Sequence, residues 1–316
     1  MKQQQIALVT GGAGFIGSHL CDYLLDKGLK VICVDNLITG SRKNIEHLLK
    51  NPNFEFVQAD IVKPFAIHHS PLAFIYHLAS PASPVDYQEK PEETAIVNSL
   101  GTLNMLKLGV EAGAKILIAS TSEVYGDPLE HPQKESYWGN VNSFGPRSCY
   151  DESKRFAETL TYIYLQKHNL DARIIRIFNT YGPRMQKDDG RVISNFINAA
   201  LKDIPLKVDG DGSQTRSFCY VSDMVKGIYQ AMIVEDTKGE IFNLGNPDEY
   251  KIKELVEKVA EEIKTKSEIV YTGEFRPDDP MQRCPDISKA RKVLGWEPEV
   301  TLTEGLKKTI EYYKNL

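Results

Sequence analysis

The sequence predicts an α/β protein, a doubly wound parallel sheet with a smaller α/β C-terminal domain, and three observations carry that expectation. Across the first half, short apolar runs alternate with amphipathic stretches of helical period, the pattern of a parallel sheet covered on both faces. The first apolar run, Ile6-Ala7-Leu8-Val9-Thr10, passes without a break into Gly11-Gly12-Ala13-Gly14-Phe15-Ile16-Gly17-Ser18-His19-Leu20. From about Thr180 the loops lengthen, and Gly and Pro cluster in Tyr181-Gly182-Pro183-Arg184 and Val208-Asp209-Gly210-Asp211-Gly212.

In chain order, strands are expected near residues 5–10, 30–35, 54–58, 72–78, 115–120 and 172–178, with helices near 15–27, 92–112 and 151–168. Later helices near 190–203, 251–264 and 303–314 are separated by short strands. With 316 residues the chain exceeds one average domain, and the change of pattern places a boundary near residue 180. Residues 1–180 form the nucleotide unit and 181–316 mainly the substrate unit, with the segments near 218–245 expected to pack back on the first.

The glycine spacing is what a dinucleotide requires. Gly11 lets the chain turn tightly after the strand, Gly14 removes a side chain where backbone meets pyrophosphate, and Gly17 lets the next helix lie close to the sheet. That helix then presents unpaired N–H groups and its positive dipole end to the phosphates. The second apolar run ends in Asp35, an acceptor for an adenosine ribose diol that repels a 2′-phosphate, so the first unit reads as Rossmann-like and the cofactor as NAD.

Composition narrows the partners. The formal net charge is −5 and the basic residues are dispersed, which argues against nucleic acid. Cys21, Cys33, Cys149, Cys219 and Cys284 are odd in number and far apart, so reduced thiols in a cytoplasmic protein are expected, with no metal site. No apolar run is long enough to cross a bilayer, and no membrane partner is expected.

The chemistry begins at the fifth strand, which delivers Thr121-Ser122-Glu123 to the carboxyl edge of the sheet, where open α/β sheets bind ligands. Tyr150 and Lys154, four apart, share one helix face. An ammonium beside the phenol favours its ionised form and makes it a base near neutral pH, while Thr121 offers a hydroxyl to the substrate oxygen. Together they form a site for oxidising a carbinol.

At this point the chain resembles the extended short-chain dehydrogenase/reductases that rework nucleotide sugars, and among them the enzymes that decarboxylate UDP-glucuronate. The resemblance covers essentially the whole chain. It rests on the glycine segment, His77-Leu78-Ala79-Ser80-Pro81-Ala82-Ser83-Pro84, Ser120-Thr121-Ser122-Glu123-Val124-Tyr125-Gly126, and Gly145-Pro146-Arg147-Ser148-Cys149-Tyr150-Asp151-Glu152-Ser153-Lys154. Arg176-Ile177-Phe178-Asn179-Thr180-Tyr181-Gly182-Pro183-Arg184, Asp189-Gly190-Arg191-Val192-Ile193-Ser194-Asn195-Phe196, Gly212-Ser213-Gln214-Thr215-Arg216 and Asp278-Asp279-Pro280-Met281-Gln282-Arg283 complete it.

The resemblance implies a redox loop. Tyr150, with Thr121 and Lys154, oxidises C4 of UDP-glucuronate, the β-keto acid loses CO2, and C4 is reduced again to give UDP-xylose. Related 4,6-dehydratases carry Asp-Glu where this chain has Ser122-Glu123, and 4-epimerases usually carry no carboxylate there. Glu123 either orients the sugar or a water, or acts as acid or base; Arg283 binds the carboxylate, positions a proton donor, or both. Where the family commonly has a second basic residue, this chain has Cys284. The resemblance further assigns Asn36, Thr39, Gly40, Asp60, Ile61, Leu78 and Ser80, with Phe15 and Ile16, to the cofactor. It assigns Pro84, Val85, Tyr87 and Ser122 to the sugar, Asn179 and Arg216 to the diphosphate, and Arg191 to Phe196 to the cleft mouth. The Ala-Ser-Pro run at 79–84 reads as a stiff loop. Helices 92–112 and 151–168 match a pair that forms a dimeric four-helix bundle in relatives, although their apolar stripes equally suit a sheet-facing core. A nucleotide-sugar 4-epimerase, a 4,6-dehydratase, or a non-catalytic NAD-binding protein are the alternatives at this stage.

Overall fold

The computed structural model describes residues 4–64, 71–275 and 278–316. Apolar runs of the first half form β1 (Ile6–Thr10), β2 (Lys30–Asp35), β3 (Phe54–Gln58), β4 (Phe74–His77), β5 (Lys115–Thr121) and β6 (Ala172–Ile177). Between them run α1 (Phe15–Asp26), α2 (Pro84–Glu89), α3 (Pro91–Ile96), α4 (Thr102–Ala112) and α5 (Ser148–His168). The second half supplies β7 (Thr180–Tyr181), α6 (Val192–Leu201), β8 (Leu206–Val208), β9 (Thr215–Ser217), β10 (Cys219–Tyr220), α7 (Val221–Ile233) and β11 (Ile241–Leu244). It ends with β12 (Glu249–Lys251), α8 (Ile252–Ile263), β13 (Ile269–Tyr271), β14 (Gln282–Arg283) and α9 (Leu302–Lys314).

Seven parallel strands make the central sheet in the order β11-β6-β5-β4-β1-β2-β3. Alternate side chains of each strand leave on opposite faces. Ala7 and Val9 join the core beside α1 and α7, while Leu8 joins the one beside α4. Connections leave β1 in one direction and β4 in the other, so a crevice opens above their carboxyl ends. There His77 bonds Thr10 Oγ1 at 2.8 Å and Thr102 Oγ1 at 3.0 Å. Burial holds that imidazole at about 3, below its ordinary value, so it is a neutral tie between β1, β4 and α4.

Several elements depart from expectation for local reasons. The helix expected over 92–112 is broken by a π-type turn at Val97–Gly101, where Ser99 Oγ donates to the Ala95 carbonyl at 2.6 Å and buried Asn98 reaches across to Ser153 Oγ at 3.0 Å. The expected stiff loop starts a helix instead: Ser83 Oγ accepts from the Asp86 amide at 3.1 Å and Pro84 occupies the first helical position. The helix bearing Tyr150 starts at Ser148 rather than 151, because the Tyr150 and Asp151 amides both bond the Arg147 carbonyl. In the second half, α7 packs on α1 through Tyr23 and Tyr229, whose rings meet edge to face at 5.3 Å, and β11 extends the central sheet by pairing with β6.

The remaining second-half elements form small sheets, β12-β9-β14 and β13-β8, beside α6, α8 and α9. The register of β14 on β9 sets Arg283 directly beside Arg216. At the other side of the crevice, a Cβ on Gly17 would lie 2.1 Å from the Gly11 carbonyl oxygen and 2.8 Å from Gly12 Cα. Backbone atoms cannot yield as a flexible side chain does. Gly17→Ala is expected to cost about 1–3 kcal/mol, seen as a lowered urea midpoint together with weaker dinucleotide binding; an unchanged midpoint contradicts this packing.

Candidate active site

One cleft of about 540 Å³ runs along the carboxyl edge of the sheet, a volume suited to a small-molecule site. At its first end Gly11 turns with φ +72°, and α1 begins at Gly14 with no side-chain cap. Gly14, Phe15, Ile16 and Gly17 therefore line the cleft with the uncapped end of a twelve-residue helix. Asp35 Oδ2 accepts from the Ala13 amide at 3.0 Å and Oδ1 from the Leu37 amide at 2.8 Å. Burial raises the carboxyl above its ordinary value and these two bonds counter it; one bond per oxygen leaves lone pairs for a ribose diol. Asn36, Thr39 and Gly40 follow along the same wall. Asp60, Ile61, Leu78 and Ser80 also line the cleft, Asp60 braced by the Val62 amide at 3.0 Å and Ser80 by the Pro81 carbonyl at 3.0 Å. A phosphate-binding helix end and an acid with spare acceptors fit a dinucleotide.

In the middle stand Thr121, at the end of β5, and Tyr150 and Lys154, on α5. The Tyr150 phenol has Thr121 as a polar neighbour that favours its ionisation, and its ring stacks on Tyr87 with centroids 5.0 Å apart and planes at 8°. Burial pushes the phenol up to about 12, and Thr121 only partly offsets this. The Lys154 ammonium lies 5.8 Å from the Tyr150 ring centroid and donates to the Ala119 carbonyl at 2.9 Å. Burial itself lowers Lys154 to about 7. Burial thus acts on both groups, raising the phenol and lowering the ammonium.

At the far end Glu123 bonds two guanidinium groups, Arg283 at Oε1 and Arg147 at Oε2. Burial opposes its charge, but the two arginines prevail and draw the carboxyl down to about 2. Arg147 continues to Asp279 Oδ1 at 3.3 Å, and Asp279 Oδ2 meets Arg216 at 2.8 Å. Asp151, one residue beyond Tyr150, is held near 8 by burial and by Glu123, against the two arginines. Arg147, Arg216 and Arg283 therefore converge here with the carboxylates of Glu123 and Asp279.

Pro84, Tyr87, Ser122 and Asn179 line the same cleft, as do Arg191 and Phe196. Arg191 bonds Asp189 at 3.1 Å and the Ala82 carbonyl at 2.8 Å, which ties the start of α6 to the loop before α2. Val85 does not line the cleft; it is half-exposed and packs toward Gly190. Cys284 follows Arg283 on an extended segment, points away, and donates to the Pro247 carbonyl at 3.3 Å, so its replacement of a basic residue does not alter the charge lining the cleft. Sequence reasoning missed Arg147 and Asp279. Arg147 sits three residues before Tyr150, one helical turn away, which is the signal that marks it.

The sequence model of the GDP-mannose 4,6 dehydratase family matches residues 8–309. This chain belongs to that family. UDP-glucuronic acid decarboxylase 6 of Arabidopsis thaliana is 56% identical to it over 300 residues, covering 95% of this chain and 86% of that protein. UDP-glucuronic acid decarboxylase 1 of the same plant is 53% identical over 98% of this chain and 69% of its own length. Among solved structures, UDP-glucuronic acid 4-epimerase from Bacillus cereus, in complex with UDP-glucuronic acid and NAD, aligns with a TM-score of 0.88 at 28% identity, covering 98% of this chain and 99% of that one. The fold is thus common to both activities, whereas sequence identity is about twice as high to the decarboxylases.

Glu123 also links the site to stability. Its carboxyl is lower in the folded chain than the ordinary 4.5, so its contribution is present above about pH 4.5 and is lost as pH falls toward 2. Glu123→Gln leaves two buried arginines facing an uncharged amide and is expected to cost about 3–5 kcal/mol at pH 7. Urea denaturation from pH 7 to 3.5 should show the gap between variant and parent narrowing below pH 4.5; a gap independent of pH contradicts the charged pairing.

Proposed function

We propose that this chain converts UDP-glucuronate and a proton to UDP-xylose and CO2, using NAD held in the first part of the cleft. The observation that carries this reading is Glu123 between Arg283 and Arg147, directly after Ser122. A carboxyl held near 2 stays ionised and cannot protonate a leaving hydroxyl, as dehydration requires. The three guanidinium groups gathered at this end, Arg147, Arg216 and Arg283, suit a sugar bearing a carboxylate. The identity to UDP-glucuronic acid decarboxylases over nearly the whole chain supports the same conclusion.

Tyr150 accepts the O4 proton while Thr121 hydrogen-bonds that oxygen, so C4 becomes a carbonyl as its hydrogen leaves with the bonding electrons. When bound, NAD supplies this two-electron chemistry and the positive charge that the buried phenol needs to ionise. The C5–C6 bond then breaks, CO2 departs, and the electron pair moves onto the C4 oxygen, where Thr121 and Tyr150 stabilise the enolate. Glu123 and Arg283 orient the group that protonates C5, after which the hydrogen and electron pair that left C4 return to it as Tyr150 gives its proton back to O4, so the sugar ends at the oxidation level of an alcohol. Lys154 holds the electrostatic setting of Tyr150. Asn179 and Arg216 take the diphosphate, with Arg191 and Phe196 at the mouth of the cleft and Pro84, Tyr87 and Ser122 against the sugar. We assign residues 1–180 to the cofactor and 181–316 mainly to the UDP-sugar, with 218–245 completing the sheet.

A homodimer through a four-helix bundle is part of the proposal. Ile96, Leu100, Phe156, Tyr162 and Ile163 leave large apolar surfaces exposed on the two helical segments expected to pair. Five free cysteines support a reducing, cytoplasmic setting. No helix among the described residues is long and apolar enough to cross a membrane.

Tyr150→Phe is expected to keep UDP-glucuronate and NAD binding while turnover falls by about 10²–10⁴; steady-state rates with calorimetric binding check it, and near-parental turnover removes Tyr150 from its role. In D2O the parent protein should give UDP-xylose with deuterium at C5, protium at C4 and no net NADH, read by mass spectrometry and proton NMR. UDP-glucuronate that keeps its carboxyl carbon under active conditions overturns the proposal in favour of a 4-epimerase.

A further inference from the structure

Behind Arg283, on the side turned away from the cleft, three side chains of different chemistry converge. His131 comes from the loop between β5 and α5, Glu249 opens β12, and Cys284 follows β14. Their ligand atoms all lie within 4.8 Å of one another, and His131 Nε2 is 3.0 Å from Glu249 Oε2. Among the described residues this is the one group of three histidine, cysteine or acidic side chains so arranged. The other Glu249 oxygen, Oε1, is buried and has no hydrogen-bond partner, an orphan acceptor that costs free energy unless something positive meets it.

We propose that His131, Glu249 and Cys284 bind one Zn²⁺ ion, a site separate from the catalytic cleft. A tetrahedral zinc with bonds of about 2.0–2.3 Å sets neighbouring ligand atoms roughly 3.5 Å apart, so the observed group closes on an ion through side-chain adjustments of about an ångström. An imidazole, a carboxylate and a sulfur are the donor types this borderline-soft cation takes, whereas magnesium and calcium prefer oxygen alone. Three protein ligands leave a fourth position for water. The local field agrees, since the Cys284 thiol has Glu249, Asp248 and Asp286 as its charged neighbours and these carboxylates attract a dication. Binding exchanges the thiol proton for the metal, so one zinc enters, one Zn–S bond forms and one proton is released to buffer.

The site would act as a clamp. The amide of Cys284 bonds Gln133 Oε1 at 2.9 Å, and the amide of Gln133 bonds the Cys284 carbonyl at 2.9 Å. Zinc would add a side-chain link at the same crossing and fasten β14 to β12 and to the loop of His131. The residue next to this crossing is Arg283, which bonds Glu123 across the cleft.

The test uses tag-free, chelator-treated full-length protein titrated with Zn²⁺ by calorimetry in two buffers of different ionisation enthalpy, and with Co²⁺ by absorbance. The expected result is one Zn²⁺ per chain with about one proton released, and a thiolate-to-cobalt charge-transfer band in the near ultraviolet. Cys284→Ser should abolish the band and weaken zinc at least tenfold, as should His131→Gln, whose partly exposed side chain makes it the milder change. Cys149→Ser should leave both unchanged. Absence of the cobalt band in the parent, or zinc binding that is unaffected by either ligand substitution, overturns the proposal. None of these readings depends on catalysis, so they stand or fall apart from the assignment of the reaction.

Discussion

The arrangement of this protein turns on a buried carboxylate between two arginines. Glu123 rides on the turn after β5, Arg147 precedes the helix of Tyr150, and Arg283 arrives from β14 in the distant second half. Isolated, each charge would be expelled from so buried a place; together they form an array in which each guanidinium answers part of the carboxylate. Because the partners belong to three separate segments, the array also sets the width of the cleft at its reacting end. Asp279 carries the chain of charges on to Arg216.

The same physics divides labour along the cleft. At the glycine end, backbone amides and a helix terminus meet negative charge without any formal cation, and Asp35 is kept by amide bonds rather than by a base. In the middle, Tyr150 and Lys154 are each pushed toward neutrality by burial, so the resting site is poised rather than charged and responds to a cation brought beside it. At the far end, Glu123 is held ionised by its two arginines. The fold is shared with a UDP-glucuronic acid 4-epimerase, so the activity has to be argued from the groups in the cleft and not from the fold.

Strand alternation explains why one short run serves two purposes. On β14 and just beyond it, Arg283 faces the cleft and Cys284 faces the opposite side. Cys284 therefore leaves the charge lining the cleft alone and lies behind it, with His131 and Glu249.

Local rules were enough for the parts whose physics is local. The parallel sheet, the glycine turn, the acid ending β2 and the Tyr-Lys helix are written in spacing and period, because a turn, a helix face or a strand edge is determined by residues a few positions apart. The start of α2 was equally local, in Ser83 and Pro84, and was hidden only by the reading of a proline-rich run as a loop. Arg147 was visible as one helical turn from Tyr150, but its bond to Glu123 was not, since the partner lies 24 residues away. Tertiary structure alone decided that Arg283, 160 positions from Glu123, shares the same carboxylate. It alone set the burial that raises Tyr150 and lowers Lys154, because desolvation depends on everything packed around a group and not on its neighbours in the chain.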